Sequence, residues 1–387
     1  MQSITELPLP SSNSVIQFNH DVNGPLVALD NASNLYEWQE GHWVSIAPPP
    51  GLKITAMTFR NMKEGLLIGI KPGEAGSGGG SFIYAWLILG LLLIIVGFAL
   101  YGIIRLIKKK RWKLLTALGL VIVAVVILFK LFVNTTVPKR QFAFETGSHY
   151  VGETGQPTYN LAMTTDEGAH WYRFSLPTNF YLTGVSSVDS AYLVTSYASP
   201  DHLDGDLWKI PTDTGRHVGL FAAARALWGI DVSDSNVFAY GTDISVSHIG
   251  NPWQSVPGEV LSSNNRLDTV SFLSLKSNGG VISLSCIPRT HDFWVVTRDH
   301  NIIKDSGNTV TSISFQVGHV PTKIVALSRS DIAVLDSVGQ SFISHDGGKS
   351  WEMIALPSTA RMHDIARGER SLLIGGDSGH VFSVMAD

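Results

Sequence analysis

Apolar positions along the chain fall into two kinds of pattern. Over most of the length they come as short runs rich in Val, Ile, Tyr, Phe and Trp, such as SVIQF, PLVALD, NLYEWQ and HWVSIA near the start, broken by Gly, Asn, Asp and Pro. Outside residues 82–133 no stretch shows the 3.6-residue period of an amphipathic helix, so the pattern predicts an all-β protein of short strands. The second kind is long: 82–104 holds 23 residues without a charge, and 114–133 repeats this with only Lys130 inside. At 1.5 Å per residue, 23 residues of helix cover a hydrocarbon core of roughly 30 Å. The loop between the runs, 105–113, carries Arg105, Lys108, Lys109, Lys110, Arg111 and Lys113. These features predict a transmembrane helical hairpin in a plasma (inner) membrane, with its basic loop cytoplasmic and the rest of the chain on the exoplasmic or periplasmic side.

The β-rich part repeats. A unit of the form Trp-x-x-apolar followed by Pro occurs at Trp43, Trp171 and Trp351, and in shortened form from Trp253 to Pro257. Two of these tryptophans close a sharper motif, Ser/Thr-x-Asp-x-Gly-x-x-Trp: Thr164, Asp166, Gly168 and Trp171 in one copy, Ser344, Asp346, Gly348 and Trp351 in the other. The residue types suit a tight turn, with Asp and Ser/Thr capping backbone N–H groups, Gly supplying φ > 0 and Trp packing between sheets. The motif resembles the Asp-box, or BNR repeat, of β-propellers such as sialidases, sortilin-like receptors and the photosystem assembly factors of the YCF48-like family. In such families it marks the fold and is not where chemistry occurs.

The resemblance implies blades of four strands. One fits 14–47; a second opens with ITAMTF and EGLLIGI, breaks off at Gly73 and resumes near Thr158 with YNLAMTT and WYRFSL. Further blades are expected at 180–222, 226–257, 268–316 and 322–357, and the last stretch supplies three strands that the segment beginning at Ile4 completes. The expectation is thus an all-β propeller of about seven blades, closed by its N-terminal strand, with the hairpin inserted in blade 2. Its divisions are 1–72 (first part of the propeller), 73–81 (Gly-rich tether), 82–133 (hairpin), 134–157 (connector) and 158–387 (remainder).

Composition removes several function classes. With 28 basic against 32 acidic residues, six of the basic ones in the hairpin loop, nothing points to nucleic acid. The single cysteine, Cys286, lies in the apolar run VISLSCI and reads as a buried small hydrophobe. The first residues lack a basic start followed by an apolar core, so no cleavable signal peptide is expected. A sialidase-type hydrolase needs an arginine cluster, and Phe59-Arg60-Asn61-Met62 keeps only Phe-Arg of that family's opening motif. Asp201, Asp204 and Asp206 suit either a calcium loop or a solvated turn, and the 13 histidines show no metal-ligand spacing. No catalytic residue, metal or other cofactor is expected, and no small-molecule ligand. The reading is a membrane-anchored, non-enzymatic scaffold or assembly factor whose partners are an integral membrane protein complex and membrane lipid. Two alternatives stay open: a glycan-binding receptor or sialidase-like hydrolase, and a protective antagonist that captures an incoming protein.

Overall fold

The computed structural model describes residues 3–19, 24–70, 145–146, 160–174, 176, 181–189, 191–197, 205–212, 219–222, 226–233, 236–242, 257–264, 267–275, 277, 279–307, 309–368 and 371–385. Seven antiparallel sheets form one compact unit from Met1–Gly73 and Phe142–Asp387. Blade 1 is Val15–Phe18, Val27–Asp30, Leu35–Gln39 and His42–Ile46; blade 2 is Lys53–Phe59, Gly65–Ile70, Asn160–Thr164 and Tyr172–Phe174. The chain therefore leaves blade 2 at Ile70 and returns at Asn160, which pairs with Gly69. Blade 3 is Tyr181–Val188, Ala191–Tyr197, Asp206–Pro211 and Gly219–Ala222, with Glu145–Thr146 added on its outer edge. Blade 4 is Ala226–Ser233, Asn236–Thr242, Gly258–Asn264 and Val270–Ser274. Blade 5 is Val281–Cys286, Phe293–Thr297, Asn301–Asp305 and Val310–Ser314; blade 6 is Pro321–Ala326, Ile332–Asp336, Ser341–Ser344 and Glu352–Met353. Blade 7 is Met362–Arg367, Ser371–Gly376 and Val381–Met385, and its fourth strand is Ile4–Glu6, paired antiparallel with Val384, Ser383 and Phe382. Pairing the first strand with the last sheet closes the ring without leaving an open junction.

Each blade is sandwiched between two others, so its middle strands are buried on both faces. Phe293–Thr297 and Ile332–Asp336 are buried at every position and read as unbroken apolar runs rather than as alternation. The hydrophobic core is accordingly seven clusters, one per blade junction; that between blades 1 and 2 includes Leu29, Ile46, Ile54, Phe59 and Leu67.

Two expectations are corrected. The hairpin of 82–133, with Arg105, Lys108, Lys109, Lys110, Arg111 and Lys113 in its loop, lies outside the described residues. Among the described residues no helix is long and apolar enough to cross a membrane, and the one helical element is the 3-10 turn Asp377–Gly379. The fold class of the described residues is an all-β seven-bladed propeller, and neither the two-helix hairpin nor the two-pass inner-membrane placement finds support among them. The second correction concerns blade boundaries. Blade 4 does not end at Pro257; its third and fourth strands, Gly258–Asn264 and Val270–Ser274, follow that point, and blade 5 begins only at Val281. The shortened unit at Trp253 thus marks no blade end, and 243–256 itself lies outside the described residues.

Candidate functional site

The first strand of each blade is the innermost, and each carries a β-bulge near its start. The unpaired residues are Ile16, Thr55, Thr183, Trp228, Ile282, Thr322 and His363, one per blade. A bulge re-aims the side chain it frees, and seven at one register form a ring at one end of the axial channel. Three are threonines: Thr55 and Thr322 donate back to the second strand of their own blade, to Ile68 O (3.3 Å) and Leu335 O (3.0 Å), whereas the Thr183 hydroxyl is nearest Leu227 O of blade 4 (2.8 Å), with Thr195 O of its own blade at 3.1 Å. Trp228 donates its indole N–H to Thr242 Oγ1 (2.8 Å), and the Arg298 guanidinium lies 4.9 Å over its ring. His363 Nε2 is 2.6 Å from Asp377 Oδ1, which also accepts the Ser14 hydroxyl at 2.9 Å. These hydrogen bonds hold the Asp377 carboxyl below the usual carboxylate range, that from His363 foremost. Ser14 gives its proton to the carboxylate and not to an imidazole, so this trio lacks the serine–histidine contact of an activated nucleophile.

Below the bulges, channel-facing side chains bridge from blade to blade in two layers. In the first, the Phe18 N–H donates to Asp364 (2.7 Å), Met57 N–H to Gln17 (3.2 Å) and Ile324 N–H to Ser283 (3.2 Å). In the second, Phe59 N–H donates to Asn19 (3.0 Å), Cys286 N–H to Asp231 (2.8 Å) and Ala326 N–H to Ser285 (3.0 Å). Lys323 pairs with the fully buried Asp364, and Arg367 donates to Ala326 O at 2.9 Å. Within blades 4–7 the layers border a cavity of about 140 Å³ lined by Asp231, Tyr240, Ser283, Ser285, Lys323 and Arg367 among others. The Tyr240 hydroxyl occupies the space over Gly229, where a Cβ would stand 2.3 Å away. Burial first, and then the charges of Asp231 and Asp364, push Tyr240 up, so it remains a neutral phenol. Burial, followed by Asp231, likewise raises the Cys286 thiol, which is fully enclosed.

The sequence-predicted Asp turns stand apart from this channel, between the third and fourth strands of blades 2 and 6. Thr164 Oγ1 accepts Gly168 N–H (2.9 Å) and donates to Asp166 Oδ1 (2.9 Å), and Asp166 accepts the His170 N–H (2.9 Å). In the second copy Ser344 Oγ accepts Gly348 N–H (2.8 Å), while Asp346 accepts the N–H groups of Lys349 and Ser350 (2.9 Å each) and the Ser350 hydroxyl (2.6 Å). Hydrogen bonds, led by the Ser350 hydroxyl, lower the Asp346 carboxyl to about 2. Gly168 and Gly348 have φ of +80° and +85° and press on the preceding blade, where a Cβ would meet Ile46 at 2.4 Å and Ile313 at 3.1 Å. Trp171 donates to Ala47 O (2.8 Å), and Trp351 meets Phe315 edge-on with centroids 5.2 Å apart. The motif residues are thus spent on joining blades 1 to 2 and 5 to 6. The bulge ring and the bridging layers were missed from sequence; their one signal is spacing, since partners such as Gln17 and Met57, or Ser283 and Ile324, lie 40 or 41 positions apart. Among the described residues no group of three or more His, Cys, Asp or Glu could hold a metal ion.

Fold and channel define a seven-bladed β-propeller. Comparison with solved structures bears this out. The chain is similar to YCF48 bound to D1 peptide (TM-score 0.56, 10% identity, covering 99% of this chain and 97% of that one) and to YCF48 from Cyanidioschyzon merolae (0.55, 12%, 99% and 98%). It is equally similar to a catalytically inactive virginiamycin B lyase from Staphylococcus aureus with quinupristin (0.58, 8%, 100% of both chains). At these identities the likeness is one of fold. No protein-family model matches the chain, and no curated protein matches it by sequence.

Proposed function

We propose that this propeller is a protein-binding scaffold or assembly factor, not an enzyme, whose partner docks on the rim formed by the seven bulge residues. The observation that carries the reading is the ring itself. Seven side chains are turned to one end of the channel, whereas the charged groups inside it, Asp231, Lys323, Asp364 and Arg367, are engaged with neighbouring blades. Such a channel holds the ring together, and its rim, where Arg298 stacks on Trp228, offers the aromatic and cationic surface on which protein segments dock. A propeller of this fold holding the D1 peptide supports a polypeptide as the ligand class. The narrower form, a partner within an integral membrane complex, rests on the resemblance to assembly factors alone.

A photoreactive residue in place of Trp228, compared with one at the exposed Tyr172 on the outer strand of blade 2, tests the reading in the native cell. A defined protein adduct at 228, at least tenfold stronger than at 172, is expected. Equal labelling at both positions overturns the rim assignment, and glycan hydrolysis by the purified chain that is lost in Asp364→Asn overturns the scaffold reading.

A further inference from the structure

The blade junctions are closed from outside by a side chain near the hairpin that joins a blade's third and fourth strands. Trp43 fills junction 7/1 and donates to Leu7 O, the first residue after the outermost strand of blade 7 (2.8 Å). Trp171 repeats this at junction 1/2 with Ala47 O, Leu267 packs into 3/4, Trp351 into 5/6, and Ile4, on the closing strand, into 6/7. The hairpin at 2/3, residues 213–218, lies outside the described residues. At junction 4/5 the pattern fails. The hairpin between Asn301–Asp305 and Val310–Ser314 has four residues where the Asp turns have six between Ser/Thr and Trp, and it brings no large side chain. In its place is an open cleft of about 520 Å³, lined by Phe238, Leu273 and Phe293 of the 4/5 core, by Ser271 and Asp305, and by the exposed His291.

We propose that this cleft receives an aromatic side chain, carried beside a basic residue on an extended segment of a protein partner. Elsewhere in the same ring the occupant of this position is an indole at three of five described junctions, its N–H bonded at two of them (Trp43 and Trp171), so the pocket chemistry is that of a flat apolar ring. The basic neighbour follows from charge. Asp305 is 7% exposed with one oxygen accepting Gly307 N–H at 2.6 Å, and no Lys or Arg belongs to the lining. Two cations of blades 5 and 6 face elsewhere: Lys304 lies over the Trp294 ring and donates to Arg329 O, and Arg329 pairs with Asp292. Burial, outweighing the Gly307 hydrogen bond, and then the Asp292 charge raise the Asp305 carboxyl, a penalty that an incoming ammonium or guanidinium relieves. The site lies on the circumference and does not depend on the rim assignment.

The test uses the full chain and three blocked peptides, Gly-Lys-Trp-Lys-Gly and its Ala-for-Trp and Glu-for-Lys counterparts, titrated by calorimetry. The Lys-Trp-Lys peptide should bind at least tenfold more tightly than either counterpart, and Ser271→Trp, which fills the cleft from blade 4, should weaken it at least tenfold. Thr269→Trp, on the exposed wall, serves as a second block should Ser271→Trp fail to fold. Asp305→Asn should equalise the Lys and Glu peptides while keeping the preference for Trp over Ala. Equal binding of all three peptides, no binding at millimolar concentration, or binding unchanged by a folded blocking variant overturns the proposal.

Discussion

Replacing Asn19 by alanine tests whether the bridging layers hold the ring. Asn19 is 4% exposed just past the inner strand of blade 1. Its Oδ1 accepts the Phe59 N–H at 3.0 Å, and its Nδ2 donates to Phe59 O at 2.8 Å and Pro25 O at 2.9 Å. Alanine deletes all three bonds and strands both backbone groups of Phe59 at a junction that water does not reach. Each such group costs about 1–3 kcal/mol, so with partial relaxation Asn19→Ala should lose about 3–5 kcal/mol, far more than its small change in apolar area implies. Asn19→Asp is the sharper control, because it keeps the acceptor for Phe59 N–H but turns an anionic oxygen on two carbonyls. Its folded-state pKa must therefore lie above the unfolded value of about 3.9. The protonated form is the one the fold accepts, so stability is present at low pH and lost as pH rises through the folded pKa. Urea unfolding followed by tryptophan fluorescence between pH 3.5 and 7 reads both effects. A loss below about 1 kcal/mol for Asn19→Ala, or an Asp variant indistinguishable from wild type at pH 7, would show that the bridges are incidental to a ring held by apolar packing.

Trp43→Ala should cost about 3–5 kcal/mol through lost packing at junction 7/1, and Trp43→Phe about 1–2 kcal/mol from the bond to Leu7 O, both read as urea midpoints. Asp346, held at about 2 against an ordinary 3.8, contributes stability that is complete above the unfolded pKa and lost as pH falls from near 4 toward 2; the stability gap between wild type and Asp346→Asn should close over that window, and a gap constant with pH refutes the assignment. Cys286 should resist a thiol reagent in the native state and react at the unfolding rate, whereas rapid native labelling would contradict its enclosure.

Much of the ring was legible because its outer fastenings use rare residues. Trp43, Trp171 and Trp351, with the two Asp turns, gave the period, the split of blade 2 and the closing role of Ile4, since Trp, Gly and Asp in fixed spacing seldom coincide by chance. The same signal misled at Trp253, where an indole and a proline stand in the long connection between two strands of blade 4. The inner fastenings were illegible for the opposite reason. Ser283, Ser285, Gln17 and Asn19 are common polar residues in strands that otherwise read as apolar, and a bulge leaves no compositional trace, so Thr55, Thr183 and Thr322 look like any strand threonine. Asp30 and Asp336 were passed over in the same way, although each accepts two hairpin N–H groups with its Oδ1: Ala32 and Asn34 at 3.0 and 2.8 Å, Val338 and Gln340 at 3.0 and 2.8 Å.

Inner bridges and outer wedges together explain why the repeat is regular in spacing but loose in sequence. A bridge needs only a short polar side chain at a set height and a backbone N–H in the next blade, so serine, asparagine, glutamine or aspartate will serve, and the constraint falls on the interval of 40 or 41 residues between them. Where the interval lengthens, as the 55 residues from Asp231 to Cys286, the extra chain is taken up in the connection 243–257 and the bridge still forms. A wedge needs bulk, so tryptophan recurs, but leucine and isoleucine serve at junctions 3/4 and 6/7. Junction 4/5 has the inner fastening without the outer one. A ring already closed by the pairing of Ile4–Glu6 with Val381–Met385, and bridged at that junction from the inside, can leave one outer cleft unfilled at little cost to its closure, which frees that cleft for a side chain supplied by another molecule.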